Sequence, residues 1–168
     1  MLIVLSGLPG TGKTTIAREL ARQLKGIHLR IDSIEQALNR SAVLLGPMND
    51  VGYRVGYALA EDNLRLGHIV IADSVNPLEL TRDAWIQAAV STNSTAIEIE
   101  IRCSDEMEHK RRLETRPLDI PGQSPVTWDQ VVARRYDAWN REHFIIDTAD
   151  ISVSAAVDLI LQHLHVSK

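Results

Sequence analysis

The chain has 168 residues, of which 45% are hydrophobic and 24% are charged, a balance typical of one globular domain. Its formal net charge of −4, without long runs of like charge, argues against a general nucleic-acid-binding surface. Cys103 is the only cysteine, which excludes an intramolecular disulfide and favours a reducing, cytoplasmic setting. The apolar run after Met1 is too short for a signal peptide or a membrane span, so we expect a buried strand there.

Short apolar runs predict strands, and amphipathic or charged segments predict helices between them. Strands are expected at residues 2–5, 27–31, 68–72, 96–102 and 144–147. Helices are expected at residues 14–25, 33–39, 53–65, 80–90, 105–115, 127–140 and 152–164. Residues 40–49 resist assignment, although Gly46-Pro47 indicates a loop. This alternation predicts a single α/β domain over residues 1–168, with a five-stranded parallel sheet between two layers of helices.

The same patterns predict some details of packing. Gly26 is expected to close the first helix, and Ser33 is expected to cap the second. The expected core positions of the third helix are Val55, Leu59 and Leu66. Isoleucine alternates with glutamate over residues 97–101, which predicts a strand near a sheet edge or a solvated face.

The first predicted strand leads directly into Gly-Leu-Pro-Gly-Thr-Gly-Lys-Thr at residues 7–14. This segment matches the phosphate-loop pattern G-x-x-x-x-G-K-[ST] in its required place between a strand and a helix. Glycines let backbone N–H groups turn toward an anion, and the helix N-terminus strengthens the attraction. Lys13 is expected to reach the β- and γ-phosphates of ATP, and the Thr14 hydroxyl is expected to bind Mg²⁺. The predicted nucleotide-binding residues are Gly7, Leu8, Pro9, Gly10, Thr11, Gly12, Lys13, Thr14 and Thr15.

Asp32 and Asp73 each follow a predicted parallel strand, at the edge of the sheet where α/β folds bind ligands. Asp73 is the candidate Mg²⁺ ligand, directly or through water. Asp32 is the candidate general base, which would accept the proton of an acceptor hydroxyl. Two alternatives remain open: Asp32 caps the following helix, or the two carboxylates exchange roles.

The chain lacks the motifs of several nucleotide hydrolases. No glutamate follows Asp73, and the sequence contains neither the switch motif D-x-x-G after that strand nor the guanine-reading Asn-Lys-x-Asp. The chain is also too short for an AAA+ module with its helical lid domain. Transfer to an acceptor is therefore favoured over hydrolysis.

Residues 7–15, 30–38 and 71–73 together resemble the small P-loop kinases grouped with chloramphenicol phosphotransferase, zeta toxins and seryl-tRNA kinase, within the AAA-type ATP-binding domains. The resemblance covers nearly the whole chain and is most specific in the first half. It implies an ATP:alcohol phosphotransferase in which Asp32 takes the position of the family's base. The identity of the alcohol does not follow from it.

In kinases of this size the segment after the fourth strand resembles a lid, here about residues 105–127. Arg112, Arg116 and His109 lie on one face of its helix. The two arginines would neutralise charge on the transferred phosphoryl group. The candidate catalytic residues beside the base are therefore Lys13, Arg112 and Arg116. The alternative is a solvated charged helix held by surface ion pairs.

The polar stretch at residues 73–83 is expected to border the acceptor pocket, so Asn76 and Arg82 are candidate acceptor contacts. Arg82 is equally a candidate for a capping or salt-bridge residue. Tyr53 would stack on an acceptor ring or pack in the core. The expected partner is a small molecule with a hydroxyl group, without a membrane and with nucleic acid disfavoured. A toxin-like or tRNA-directed kinase and a nucleotide-dependent regulatory ATPase remain alternatives.

Overall fold

The computed structural model describes residues 1–41 and 48–166, so the loop predicted at Gly46-Pro47 lies outside the described residues. Within them, five strands form one parallel sheet flanked by seven helices. The strands are β1 (Leu2–Ser6), β2 (Ile27–Arg30), β3 (Val70–Asp73), β4 (Ala96–Arg102) and β5 (Phe144–Asp147). The helices are α1 (Lys13–Leu24), α2 (Ile31–Asn39), α3 (Val51–Arg65), α4 (Glu79–Val90), α5 (Glu106–Thr115), α6 (Trp128–Val132) and α7 (Val153–Val166).

The strand order is β2-β3-β1-β4-β5, which places β1 at the centre of the sheet. All five residues of β1 are buried, and this explains its continuous apolar sequence. In the parallel register Asp73 lies beside both Leu5 and Arg30. The carboxyl ends of β1, β2 and β3 therefore meet at one edge of the sheet.

Two hydrophobic cores confirm the predicted three-layer α/β/α architecture. On one face, α1 and α7 pack against Ile3, Leu5 and Ile99 of the sheet. On the other face, α3 and α4 pack against Leu2 and Val4. Because consecutive residues of a strand point to opposite faces, both helical layers draw their core from the same short strands. Among the described helices, none is both long enough and apolar enough to cross a membrane.

Two helix boundaries differ from the predictions. α1 ends at Leu24, and its C-cap is Lys25 in the left-handed conformation (φ 51°), so the C-cap role predicted for Gly26 is wrong. Gly26 is small for another reason: a Cβ there would lie 2.5 Å from Cδ1 of Ile71. α2 begins at Ile31 after an extended Arg30, with no side-chain capping hydrogen bond, so the cap predicted at Ser33 is also wrong.

The core face of α3 is made of small residues rather than the predicted large ones. Its buried positions are Gly52, Gly56, Ala60 and Leu64, whereas Leu59 and Leu66 are 40% and 74% exposed and Val55 is half-buried. A Cβ at Gly56 would lie 2.4 Å from Cδ1 of Ile31 and 3.3 Å from the Trp85 ring. Large neighbours fill the space that glycine leaves, and a count of hydrophobic residues along α3 does not detect this.

β4 lies near an edge of the sheet, as its alternation predicts, but neither of its faces is solvated. It pairs with β1 and β5, and Glu98 and Glu100 are buried. Arg141 binds Glu98 with two hydrogen bonds of 2.6 and 2.8 Å, and His143 lies 3.1 Å from Glu100. Buried carboxylates need such partners, because an unpaired charge in the interior is costly.

The helix predicted over residues 127–140 is only five residues long. α6 begins with a capping box between Thr127 and Gln130 and ends at Val132. Beyond it, the carbonyls of Asp137 and Ala138 accept hydrogen bonds from Arg82. Residues 135–143 form neither helix nor strand.

Candidate active site

The loop between β1 and α1 has the backbone conformation that its glycines permit. Gly7, Gly10 and Gly12 have φ values of 139°, 91° and 96°. A Cβ at Gly7 would lie 2.2 Å from the Ile101 carbonyl oxygen, so only glycine fits there. Gly12 has no atom within 4 Å of such a Cβ, which leaves open space directly before the N-terminus of α1. This geometry is that of an anion-binding loop.

Lys13 is the first residue of α1, and only 7% of its surface is exposed. Its Nζ donates to the Leu8 carbonyl oxygen at 3.2 Å. Burial lowers the pKa of Lys13, and the charges of Asp73 and Asp32 oppose that shift in part. A poorly solvated ammonium of this kind gains favourable interactions when a polyanion approaches.

Asp73 lies at the end of β3 with 3% of its surface exposed, and its Oδ2 is 3.1 Å from Nε2 of His28. Burial raises the pKa of the Asp73 carboxyl, but the His28 hydrogen bond and the charge of Lys13 outweigh it, so the pKa lies below its ordinary value. The Thr14 hydroxyl also contacts this carboxylate. The result is a carboxylate whose charged form is favoured, beside a hydroxyl.

These two oxygen groups fit Mg²⁺, which prefers carboxylate, hydroxyl and water ligands. Among the described residues, no cluster of three or more histidine, cysteine, aspartate or glutamate side chains is available to hold an ion alone. Asp73 and Thr14 are therefore a partial ligand set of the kind that Mg²⁺ completes with phosphate oxygens and water.

Asp32 lies in the first turn of α2 with its side chain 41% exposed. It lines a cavity that Lys13 and Asp73 also line. Its Oδ2 is 3.9 Å from Nη2 of Arg30, and it forms no helix-capping hydrogen bond, so the capping alternative is not what the structure shows. Glu35, one turn further on, also lines the cavity. Burial, with the charge of Asp32 second, raises the pKa of Glu35.

One cavity of about 640 Å³ brings most of these groups together. Its lining includes Lys13, Thr14, Asp32, Asp73, Arg116 and Asp119. The volume lies within the range of ordinary small-molecule sites. The phosphate loop, both strand-end aspartates and the segment predicted as a lid therefore share one space.

The two predicted lid arginines have different surroundings. Arg112 donates to Glu108 at 2.6 Å and to the hydroxyl and carbonyl oxygens of Thr148 at 3.0 and 2.9 Å. Arg116 follows α5 and lines the cavity, and no residue that the structure describes forms a hydrogen bond or ion pair with its side chain. Both arginines line the cavity, but among the described residues only Arg112 has protein groups that compete with a ligand for its donors.

α5 is docked on the phosphate loop through His109, which is buried. Its Nε2 lies 2.8 Å from the Pro9 carbonyl oxygen, and its ring contacts Trp128 edge to face. The Arg111 side chain is 63% exposed and pairs with Glu108, as the solvated-helix alternative expects, but Arg111 also lines the cavity. The helix is therefore part of the site.

A smaller pocket of about 310 Å³ adjoins the loop on the far side of Arg112. Its lining includes Ile16, Ile151, Val153 and Thr148. The Thr148 hydroxyl lies 2.9 Å from the carbonyl oxygens of both Thr11 and Arg102, so this residue joins the loop to β4. Sequence analysis did not find Thr148, because no motif marks it.

The predicted acceptor contacts lie elsewhere. Asn76 is fully buried, donates to Ser6 at 3.0 Å and accepts from the Trp85 ring N–H at 3.0 Å. Arg82 is 1% exposed and donates to the Asn76 carbonyl oxygen. The Tyr53 hydroxyl accepts from the Asn76 N–H, and burial raises the pKa of Tyr53 to about 12. Asn76 has a left-handed backbone with φ 49°. Asn76, Arg82 and Tyr53 bind one another around the loop between β3 and α4, and none of the three lines the cavity.

Other cavity residues escaped sequence analysis. Arg30 donates from Nη1 to Oδ2 of Asp119 at 2.8 Å, and Arg18 also donates to that carboxylate. Asp119 belongs to the loop between α5 and α6, 89 residues beyond Arg30. No spacing rule connects residues so far apart, so only the fold reveals this contact.

Comparison with known proteins places the chain in a family. The AAA domain family matches residues 2–148, and no curated protein matches significantly. A candidate kinase from Chloroflexus aurantiacus is 24% identical with a TM-score of 0.71, over 99% of this chain and 97% of the other. Chaetomium thermophilum Kti12 in complex with ADP-AlF3 is 23% identical with a TM-score of 0.68, over 96% and 98%.

A third similar structure is the Mycobacterium tuberculosis APS kinase CysC in complex with AMPPNP and APS. It is 16% identical with a TM-score of 0.71, over 98% of this chain and 96% of the other. At these identities the solved structures show a shared fold. Together with the phosphate loop and the family match, they show that this chain belongs to the AAA domain family and has the fold of the small P-loop kinases.

Proposed function

We propose that the protein is a cytoplasmic kinase that transfers the γ-phosphoryl group of ATP to a hydroxyl of a small molecule. One observation carries the proposal. The carboxylate of Asp32 makes no helix-capping hydrogen bond and lines the same cavity as the phosphate loop and Asp73. A hydrolase needs only a positioned water, whereas a kinase needs a base beside an acceptor space.

The donor would bind across both pockets. Its phosphates would lie on the loop at residues 7–14, with Lys13 as the buried cation. Thr14 and Asp73 would hold Mg²⁺, which supplies charge neutralisation and alignment of the phosphate oxygens. The apolar side chains of Ile16, Ile151 and Val153 would contact the nucleotide base in the smaller pocket.

The transfer would use Asp32 and Arg116, which both line the main cavity. Asp32 would accept the proton of the acceptor hydroxyl while the oxygen of that hydroxyl forms a bond to the γ-phosphorus, and the bond to the leaving ADP oxygen breaks. Arg116 would stabilise the charge that spreads over the transferred group. Arg112, held by Glu108 and Thr148, would position the lid without touching the phosphoryl group.

The size of the cavity and the fold favour a small acceptor. The main cavity of about 640 Å³ is closed on one side by residues of the lid segment, such as Leu118 and Gln123. The APS kinase of similar fold was solved with a nucleotide analogue and a small molecule together. Kti12 of similar fold was solved with ADP-AlF3, so a regulatory ATPase is the second outcome that an experiment must separate.

The test is ATP consumption with and without a panel of hydroxy compounds. Lys13→Ala should abolish nucleotide binding, and Asp32→Asn should lower acceptor-dependent kcat by about 10²–10⁴-fold with ATP still bound. Asp62→Asn, whose side chain is 75% exposed on α3, is the matched control and should change neither. Undiminished acceptor-dependent turnover in Asp32→Asn would overturn the base assignment. Slow hydrolysis that no acceptor accelerates would favour the regulatory ATPase.

A further inference from the structure

Arg30 is a buried guanidinium whose hydrogen-bonding capacity is only partly used. Its side chain is 9% exposed, and its single hydrogen bond within the described residues joins Nη1 to Asp119. Its Nε is buried without a hydrogen-bond partner there, and Nη2 lies 3.9 Å from Asp32. A guanidinium has five N–H donors, and leaving them unpaired in the interior is costly. The Arg30 side chain can therefore bind an additional hydrogen-bond acceptor.

The carboxylate that accepts a hydrogen bond from Arg30 comes from the loop between α5 and α6. Asp119 lies between α5 and α6 and also receives a hydrogen bond from Arg18. The Arg30 hydrogen bond, with that of Arg18 second, lowers the pKa of Asp119 to about 2, so the carboxylate is charged at any working pH. A short, charged side chain of the protein thus occupies the position between two arginines on the cavity wall.

We propose that Arg30 binds an anionic group of the phosphate acceptor, and that Asp119 holds this position as an internal substitute until the acceptor displaces it. The inference rests on the proposed kinase function and narrows it: the acceptor is a hydroxy compound that carries a carboxylate, phosphate or sulfate. These three groups share the geometry that accepts two parallel hydrogen bonds from a guanidinium.

The position of Arg30 also limits the shape of the acceptor. Arg30 ends β2 in register with Asp73, and its Nη2 is 3.9 Å from the carboxylate of Asp32. An anionic group on Arg30 therefore lies next to the proposed base. The reacting hydroxyl must then be only a few bonds from the charged group, as in a hydroxy acid.

The competing explanation is a permanent clamp, in which Asp119 only fixes the loop. The two explanations predict opposite effects of Asp119→Asn on anion binding. A clamp predicts that Arg30→Gln and Asp119→Asn both weaken the site. A substitute anion predicts opposite effects, because Asp119→Asn removes the competitor and Arg30→Gln removes the binding group.

The first test uses inorganic sulfate as the probe on the full chain, with Mg-AMPPNP saturating the phosphate loop so that sulfate cannot bind there. Sulfate affinity, measured by calorimetry, should rise about tenfold in Asp119→Asn and fall about 100-fold in Arg30→Gln. Arg30→Lys keeps the positive charge but loses the paired N–H donors of the guanidinium, so its sulfate affinity should lie between those of the wild type and Arg30→Gln. Arg22→Gln and Asp62→Asn, on exposed side chains, are the matched controls and should leave the affinity unchanged. Equal sulfate affinity in the wild type and both cavity variants, or a loss in both, would overturn the proposal.

The second test measures phosphoryl transfer to matched pairs of compounds: glycerate with glycerol, gluconate with sorbitol, and glycerol phosphate with glycerol. The anionic member of at least one pair should be phosphorylated in preference to its neutral partner, and Asp119→Asn should lower its KM. Preference for the neutral members would overturn the inference while leaving the kinase function standing. Sulfate binding with the expected signs but no transfer to any compound would leave the anion site standing and contradict the kinase function.

Discussion

Lys13 combines two features that usually oppose each other: it is almost completely buried, and it is charged to bind phosphate. Burial lowers its pKa, while Asp73 and Asp32 limit the fall. The same two carboxylates are the proposed metal ligand and the proposed base. The protonation of Lys13 is therefore coupled to both halves of the site.

This coupling predicts how nucleotide affinity depends on pH. Only the protonated ammonium attracts phosphate, and a lowered pKa means that the proton is lost earlier as the pH rises. The affinity for Mg-AMPPNP should therefore begin to fall below pH 10.5, the ordinary pKa of lysine. Titration calorimetry across the alkaline range measures it. Lys13→Arg, which stays charged throughout, should show a flat profile, and a flat profile in the wild type would contradict the prediction.

At the scale of residues, the motif residues were predictable and the contacts between distant segments were not. Lys13, Thr14 and Asp73 follow from a loop pattern and a strand end, both of them local in sequence. Asn76 was predicted beside the acceptor pocket from its position after β3, and the structure places its side chain in the core, on a left-handed backbone. The Arg30–Asp119 pair depends on a crossing of the chain that no local pattern encodes.

β4 was identified correctly and lies near a sheet edge, but the burial of its glutamates was not predicted. The alternation of isoleucine and glutamate does give a strand, with the predicted bounds. Its glutamates are inside because Arg141 and His143, from the irregular segment before β5, cover them. That segment was predicted as helix, so its role as a cover for the sheet could not be seen.

The Arg141–Glu98 pair should be important for stability. Arg141→Met leaves the carboxylate of Glu98 buried and unpaired, and should lower the free energy of unfolding by about 3 kcal/mol. Adding Glu98→Gln should recover part of the loss, because the unpaired charge is then gone. Chemical denaturation measures both. Arg135→Met, at a side chain that is 77% exposed, is the control and should cost under about 0.5 kcal/mol; an equal loss there would argue against a special role for the pair.

At the scale of the whole molecule, the proposed ligand site joins segments from the entire chain. The phosphate loop, the end of β3, α5 and the loop after β5 all contribute to the two cavities. His109 and Thr148 fasten α5 and the last strand to the loop. A bound nucleotide would therefore contact residues from early and late in the sequence at once.

Nucleotide binding should accordingly raise the thermal stability of the whole domain. At a hundred-fold excess over Kd, binding adds about 2.7 kcal/mol, which corresponds to a Tm increase of about 5–10 °C for a chain of this size. Differential scanning calorimetry with Mg-AMPPNP measures the shift. It should shrink when Mg²⁺ is omitted and nearly vanish in Lys13→Ala. A full shift in Lys13→Ala would place the nucleotide away from the loop.

The central position of β1 has a consequence for how the protein is made. β1 precedes its neighbours β3 and β4 in chain order, and β4 ends only at Arg102. The phosphate loop begins where β1 ends, so it lacks its supporting backbone until Arg102 has been synthesised and has left the ribosome. Parallel pairing across such long separations is slow. A nascent chain would therefore carry the nucleotide motif well before it gains the ability to hold a nucleotide.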